Sequence, residues 1–126
     1  MTQQITILSI PYTVSFKNEP LKTKFETAVT EAIDESLSAL GENIKQAIYL
    51  QLENKYSIGK EEIPFKIEAF TNTIEFLFGQ GATVIEIGII EKLHGKIEGF
   101  AYKTKKNELV FNDYIAGLQS YLESQT

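Results

Sequence analysis

Residues 64–95 read PFKIEAFTNTIEFLFGQGATVIEIGIIEKLHG, and the pattern in this stretch decides the fold. Ile67, Phe70, Ile74, Leu77 and Phe78 recur at three- and four-residue steps, which lines apolar side chains along one face of a helix. The residue before a proline avoids helical angles, so this helix is expected to begin after Ile63-Pro64. Gly79 stops it, and Gly79-Gln80-Gly81 reads as a tight connector. Beyond the connector, Ala82, Ile85, Ile89 and Leu93 share one face of another helix, and the spacing predicts that all four are buried. Val84, Ile87 and Ile90 make its other side apolar too, with His94-Gly95 as the expected end. A helix apolar nearly all round is either central in a bundle or part of a subunit interface.

Toward the N-terminus the same period continues. Leu21, Phe25, Ala28, Val29, Ala32, Ile33, Leu37 and Leu40 form a helical stripe, with Pro20 acceptable in its first turn. Gly41 interrupts a phase that carries on through Ile44, Ala47, Ile48 and Leu52. Glycine inside a helix costs about 1 kcal/mol, so two helices meeting at Gly41 are favoured over one kinked helix, the second ending near Tyr56. Residues 5–16 differ. Leu8, Ile10, Tyr12, Val14 and Phe16 alternate with small or polar residues, a period of two that reads as a strand or extended arm, and Pro11 favours an edge position. Toward the C-terminus, segments 97–102 and 108–111 can pair as a hairpin across Lys105-Lys106-Asn107. Asn112 or Asp113 would then cap a last helix through Ile115, Leu118 and Leu122. The expected fold is mainly α: one domain over residues 1–126, a bundle of four to five helices with short extended or β segments near the N-terminus and at about 97–111.

Composition narrows the chemistry. The 126 residues carry no cysteine, which excludes disulfides and thiolate metal sites. The net charge is −5 and every one of the 12 basic residues is lysine, so the bidentate arginine contacts typical of DNA readout are missing. Nucleic acid is therefore a disfavoured partner, bound weakly and salt-sensitively at most. The one basic cluster, Lys103, Lys105 and Lys106, is the best candidate for an anion or nucleic-acid contact, although a solvated turn is the simpler reading. Residues 1–4 are not basic and the next apolar stretch is broken at Ser9, Pro11 and Thr13, so no secretory signal is recognised. The expected location is cytoplasmic, with no membrane partner.

Single motifs are weak. Glu91-x-x-His94 has the spacing of half a carboxylate-bridged metal site, but the chain has one histidine, and a helix-end or exposed role is simpler. Phe78-Gly79-Gln80-Gly81-Ala82 precedes a helix start, yet lacks the Lys and Ser/Thr of a phosphate-binding loop. His94 is also the one neutral-pH base available to activate a nucleophile. The six tyrosines fit the rim of a core better than a ligand pocket. No catalytic residue, metal ligand or cofactor is expected, and the protein is not read as an enzyme.

The run Leu40-Gly41-Glu42-Asn43-Ile44-Lys45-Gln46-Ala47-Ile48-Tyr49, the following Leu52-Glu53-Asn54-Lys55-Tyr56-Ser57-Ile58, then Glu62-Ile63-Pro64, Phe70 and Phe78-Gly79-x-Gly81-Ala82 resemble the Nitrosopumilus output domain family, fifth type. The resemblance covers about residues 33–95, and its most specific part is Ile-Pro followed about 15 residues later by Phe-Gly-x-Gly-Ala. It implies a small helical domain of ammonia-oxidising archaea, found alone or attached to signalling modules, with a presumed output role. It brings no catalytic or binding residues.

The expected function is a non-enzymatic regulatory or interaction module pairing with a second copy or another protein. The alternatives are a helix-turn-helix DNA-binding regulator and a small-ligand sensor with an apolar pocket. The candidate interface and packing residues are Phe76, Phe78, Gly79, Gly81, Ala82, Ile87 and Ile90, because residues 76–90 hold more large apolar side chains than one face of a two-helix hairpin can bury.

Overall fold

The computed structural model describes residues 19–100 and 110–125. It is a mainly helical bundle of five α-helices: α1 (Glu19–Ser38), α2 (Glu42–Tyr56), α3 (Ile67–Phe78), α4 (Ala82–Lys96) and α5 (Phe111–Glu123). Short 3₁₀ helices occupy Lys60–Phe65 and Gly79–Gly81. Among the described residues there is no strand.

The break at Gly41 is where the sequence puts it. Gly41 takes φ 118°, outside the range a side chain tolerates, so α1 cannot run on into α2. At the other end of α2, Ser57 adopts the left-handed cap (φ 58°). Its amide donates to the Glu53 carbonyl, and the next residue, Ile58, is buried, as a hydrophobic residue just past such a cap commonly is. Ile63-Pro64 does not simply precede a helix; it sits inside the 3₁₀ turn. That turn tolerates Pro64 because its bonds are carried by the amides of Glu62 and Lys66, which reach the carbonyls of Gly59 and Ile63.

α1 is the axis. Phe25, Val29, Ala32, Ile33 and Leu37 are fully or almost fully buried along it, and every other helix except α3, as well as the Lys60–Phe65 turn, packs on it. α4 lies antiparallel to α1: Val84 and Ile85 border the same groove as Leu40, whereas Lys96 reaches Glu31 and Glu35. α3 is held between α2 and α5, where Phe70 meets Phe111 at 6.2 Å between ring centroids.

The buried face of α4 agrees with the expected one: Ala82, Ile85, Ile89 and Leu93 are 3%, 9%, 0% and 0% exposed. Four expectations need correction. α4 does not close at His94-Gly95 but runs to Lys96, because the amide of Ile97 still finds the Leu93 carbonyl. α5 starts at Phe111, with extended Val110 before it, so neither Asn112 nor Asp113 caps it. Phe111 is thereby helical and buried instead of ending a strand; the proposed 97–111 hairpin otherwise falls largely on 101–109, outside the described residues, as does the arm at 5–16. In α2 the stripe is rotated: Lys45 is buried with Ile48 and Leu52, while Ile44 and Ala47 face outward.

Candidate interaction surface at the α3–α4 corner

The corner is built by the 3₁₀ turn between α3 and α4. Gly79 leaves α3 with φ 55° and ψ −126°, a conformation that strains any residue with a Cβ, and its amide closes on the Glu75 carbonyl. The chain turns before the apolar run Phe76-Leu77-Phe78 can be buried, so this run is split. Phe78 is half-buried against the core, while Phe76 is 72% and Leu77 44% exposed. On the other side of the turn, Val84 is 72% and Ile87 40% exposed. These four large side chains belong to the last turn of α3 and the first two turns of α4. The Lys55 ammonium lies 5.3 Å from the Phe76 ring centroid, the approach expected of a cation over an aromatic face.

Of the seven residues singled out in the sequence, Phe76 and Ile87 are therefore at the surface, Phe78 is between surface and core, and Gly79 and Gly81 shape the turn. Ala82 and Ile90 are not surface residues: they are 3% and 7% exposed and pack in the core. Lys103, Lys105 and Lys106 lie outside the described residues.

Beside the corner, between the end of α1 and α4, runs a groove of about 460 Å³ bordered by Ser36, Ala39, Leu40, Val84, Ile85 and Gly88. The Ser36 hydroxyl is buried there without a hydrogen-bond partner. The Glu86 carboxylate, on α4, also has a buried and unpartnered oxygen. Burial first, and then the Glu75 charge, push its pKa above the ordinary carboxylate value. An acid whose folded-state pKa is raised destabilises the fold when ionised. Its contribution is full below its unfolded pKa and is lost as pH rises through the folded value. Glu86→Gln is thus expected to make the fold more stable at neutral pH and to flatten this part of the stability–pH curve. Denaturant titrations between pH 4 and 8 measure it; a variant less stable than the wild type at pH 7 would contradict it.

The richest polar cluster lies elsewhere. Asp34 of α1 accepts from Tyr49 (2.9 Å), from Lys60 (3.0 Å) and from Lys45 (3.3 Å). Lys45 also donates to Ser38 Oγ at 2.9 Å. Burial alone would raise the Asp34 pKa, but the bonds from Lys60, Tyr49 and Lys45 outweigh it and hold the carboxyl below its ordinary value. The same burial, with the neighbouring Asp34 charge, raises the Tyr49 phenol, so Tyr49 stays protonated as a donor. These groups neutralise one another and tie α2 and the 3₁₀ turn to α1. Sequence spacing did not reveal the cluster: the stripe read through Ile44, which left Lys45 off the expected buried face.

His94 is exposed, its ring 5.6 Å from that of Tyr114. Burial pushes the Tyr114 phenol up to about 12. Among the described residues no three His, Cys, Asp or Glu side chains are grouped to hold a metal ion. α3, the Gly79–Gly81 turn and α4 together span 30 residues, Ile67–Lys96, and reach membrane-span apolarity by length and composition alone. Their apolar residues divide between two jobs, one set packing into the core and the other forming the exposed corner, and they carry Glu75 and Glu86. No protein-family profile, no curated protein and no solved structure matches the chain.

Proposed function

We propose that the protein is a non-enzymatic regulatory or interaction module that pairs with a second copy of itself through the α3–α4 corner. One observation carries the reading: Phe76 and Val84, each 72% exposed, are the most exposed large apolar side chains among the described residues, and with Leu77 and Ile87 they flank the turn between α3 and α4. Large apolar side chains gathered on a small domain mark an interaction site, and two-fold pairing is the commonest way copies of one chain bury such a patch. The class of function, signal output in an archaeal cytoplasm, draws on the resemblance of residues 33–95 to the output domain family. The DNA-binding alternative has less support, because Lys96, one of the lysines available to it, is engaged by Glu31 at 3.4 Å and Glu35 at 3.2 Å.

Sedimentation at micromolar concentration tests the pairing. The wild type is expected at twice the 14.2 kDa chain mass, and the double variant Phe76→Ser/Val84→Ser at the chain mass itself. Because both side chains are mostly in water already, the variant should keep its helical content. A wild type that sediments at 14.2 kDa overturns the dimer.

A further inference from the structure

The α3–α4 corner is too small to hold two copies together by itself. Phe76, Leu77, Val84 and Ile87, at 72%, 44%, 72% and 40% exposed, together leave little more than the equivalent of two whole side chains in water. Counted even at the ~150–250 Å² of an aromatic side chain, that is at most roughly 600 Å². A specific interface takes about 800 Å² from each partner. The remainder has to come from surface that adjoins the corner, and an apolar concavity does adjoin it. The groove of about 460 Å³ between the end of α1 and α4 has Val84 on its border, so Val84 belongs to corner and groove alike.

The groove is suited to an aromatic ring. Ala39 and Leu40, just past the end of α1, form one side. On the α4 side Gly88 leaves it open, since a Cβ there would meet nothing within 4 Å. An enclosed apolar cavity of about 150 Å³ admits benzene, and this groove, though open to solvent, is roughly three times that size. Glu91 and Lys92 on its border are of opposite charge, so it presents no net charge to another copy of a chain whose own net charge is −5. Ser36, 9% exposed, borders it too, and its hydroxyl has no hydrogen-bond partner. Such a hydroxyl is satisfied when an occupant brings a polar group alongside. Among the described residues the largest apolar side chain left in water is Phe76. It lies on the other side of the corner from the groove: the Lys55 ammonium of α2 approaches its ring at 5.3 Å, whereas the groove opens between α4 and the end of α1.

We propose, resting on the pairing through the corner, that this groove is the receptor for the Phe76 ring of a second copy. A knob and a groove on one chain are each used twice in a two-fold pair, because residue i meets j and j meets i. Val84, common to both features, then falls next to the two-fold axis, and the two Phe76 rings enter the two grooves together. The exposed Gln80, on the turn that follows Phe76, enters with the ring and brings an amide to the Ser36 hydroxyl. The groove walls supply the contact area that the four corner side chains lack.

Filling the groove tests this without touching the four corner side chains. Gly88→Leu places a side chain where the space is open, and leucine favours a helix that glycine disfavours, so the fold should be kept, as circular dichroism checks. Ala39→Leu, exposed on the opposite wall, fills the same space should Gly88→Leu fail to fold. In sedimentation of the full chain, Gly88→Leu and Phe76→Ala are each expected to weaken dimerisation at least tenfold. An equimolar mixture of the two is expected to associate at least tenfold more tightly than either variant does with itself. In that mixed pair the ring of one chain finds the open groove of the other, and the filled groove meets the truncated side chain. Native mass spectrometry identifies the mixed species. A wild-type dimer that either groove-filling variant or Phe76→Ala leaves unweakened, or a mixture that associates no better than its components, would overturn the groove as receptor. The corner pairing falls only with a monomeric wild type, which would overturn both and leave the surface to a partner of another kind.

Discussion

Ile89→Ala is expected to lower stability by about 2–5 kcal/mol, a drop of roughly 8–20 °C in Tm. Ile89 is 0% exposed at the middle of α4, where that helix packs along α1. Truncation to alanine removes three carbons from contact and leaves a cavity that the surrounding side chains close only in part. Ile87, two residues away on the same helix, is 40% exposed. Its truncation should cost under about 1 kcal/mol, since much of the side chain is in water in the folded state. The comparison belongs in dilute solution, where self-association does not add to the melting temperature. Both residues have the same chemistry and the same helix, so the difference isolates tertiary burial. Equal losses for the two variants would mean that α4 does not pack on the face described.

Asp34→Ala is expected to cost about 1–2 kcal/mol, the lower part of the range for a lost charged hydrogen-bond acceptor, because water can reach part of the cluster. The Asp34 side chain is 28% and that of Lys60 42% exposed. What makes the loss exceed that of an ordinary surface pair is that one carboxylate holds three donors from two different elements. The pairs of Lys96 with Glu31 and Glu35, with both glutamates more than half exposed, should cost less when either acid is removed. Since the Asp34 carboxyl is held below its ordinary value of 3.8, its contribution is present above about pH 4 and fades as pH falls through the folded pKa. Chemical denaturation at pH 7 and at pH 3 distinguishes this from simple loss of packing. The gap between wild type and Asp34→Ala should narrow at pH 3; a gap of the same size at both pH values would show that the charge contributes nothing.

Helix existence was legible because apolar spacing and glycine placement act locally. Gly41 separates α1 from α2 as its position in the stripe implies, and Gly79 ends α3 where the pattern stops. Boundaries were less legible where no local residue type compels them. His94-Gly95 looked like an end, but nothing in that dipeptide forbids a further helical residue, and α4 runs on to Lys96. Asn112 and Asp113 looked like caps, yet the burial of Phe111 against Phe70 draws the helix start forward, with the cap at Val110, two residues before Asn112. The candidate surface was half legible. The excess of large apolar residues over 76–90 announced that some would remain uncovered, but Ile90 proved to be core, as did Ala82, whose burial the spacing of α4 had already predicted.

By itself the sequence determined a mainly helical bundle, the place of its breaks at Gly41 and Gly79 and the inward face of α4, all consequences of backbone geometry and of a period of 3.6 residues. Only the tertiary structure decided which of the remaining apolar residues stay in water and that Lys45 turns inward to Asp34. The physical reason is that periodicity orders side chains around one helix axis but carries no information about how many neighbours that helix acquires. Whether Val84 is covered, and whether a buried lysine finds a carboxylate, depends on the rotation and crossing of helices that are distant in sequence.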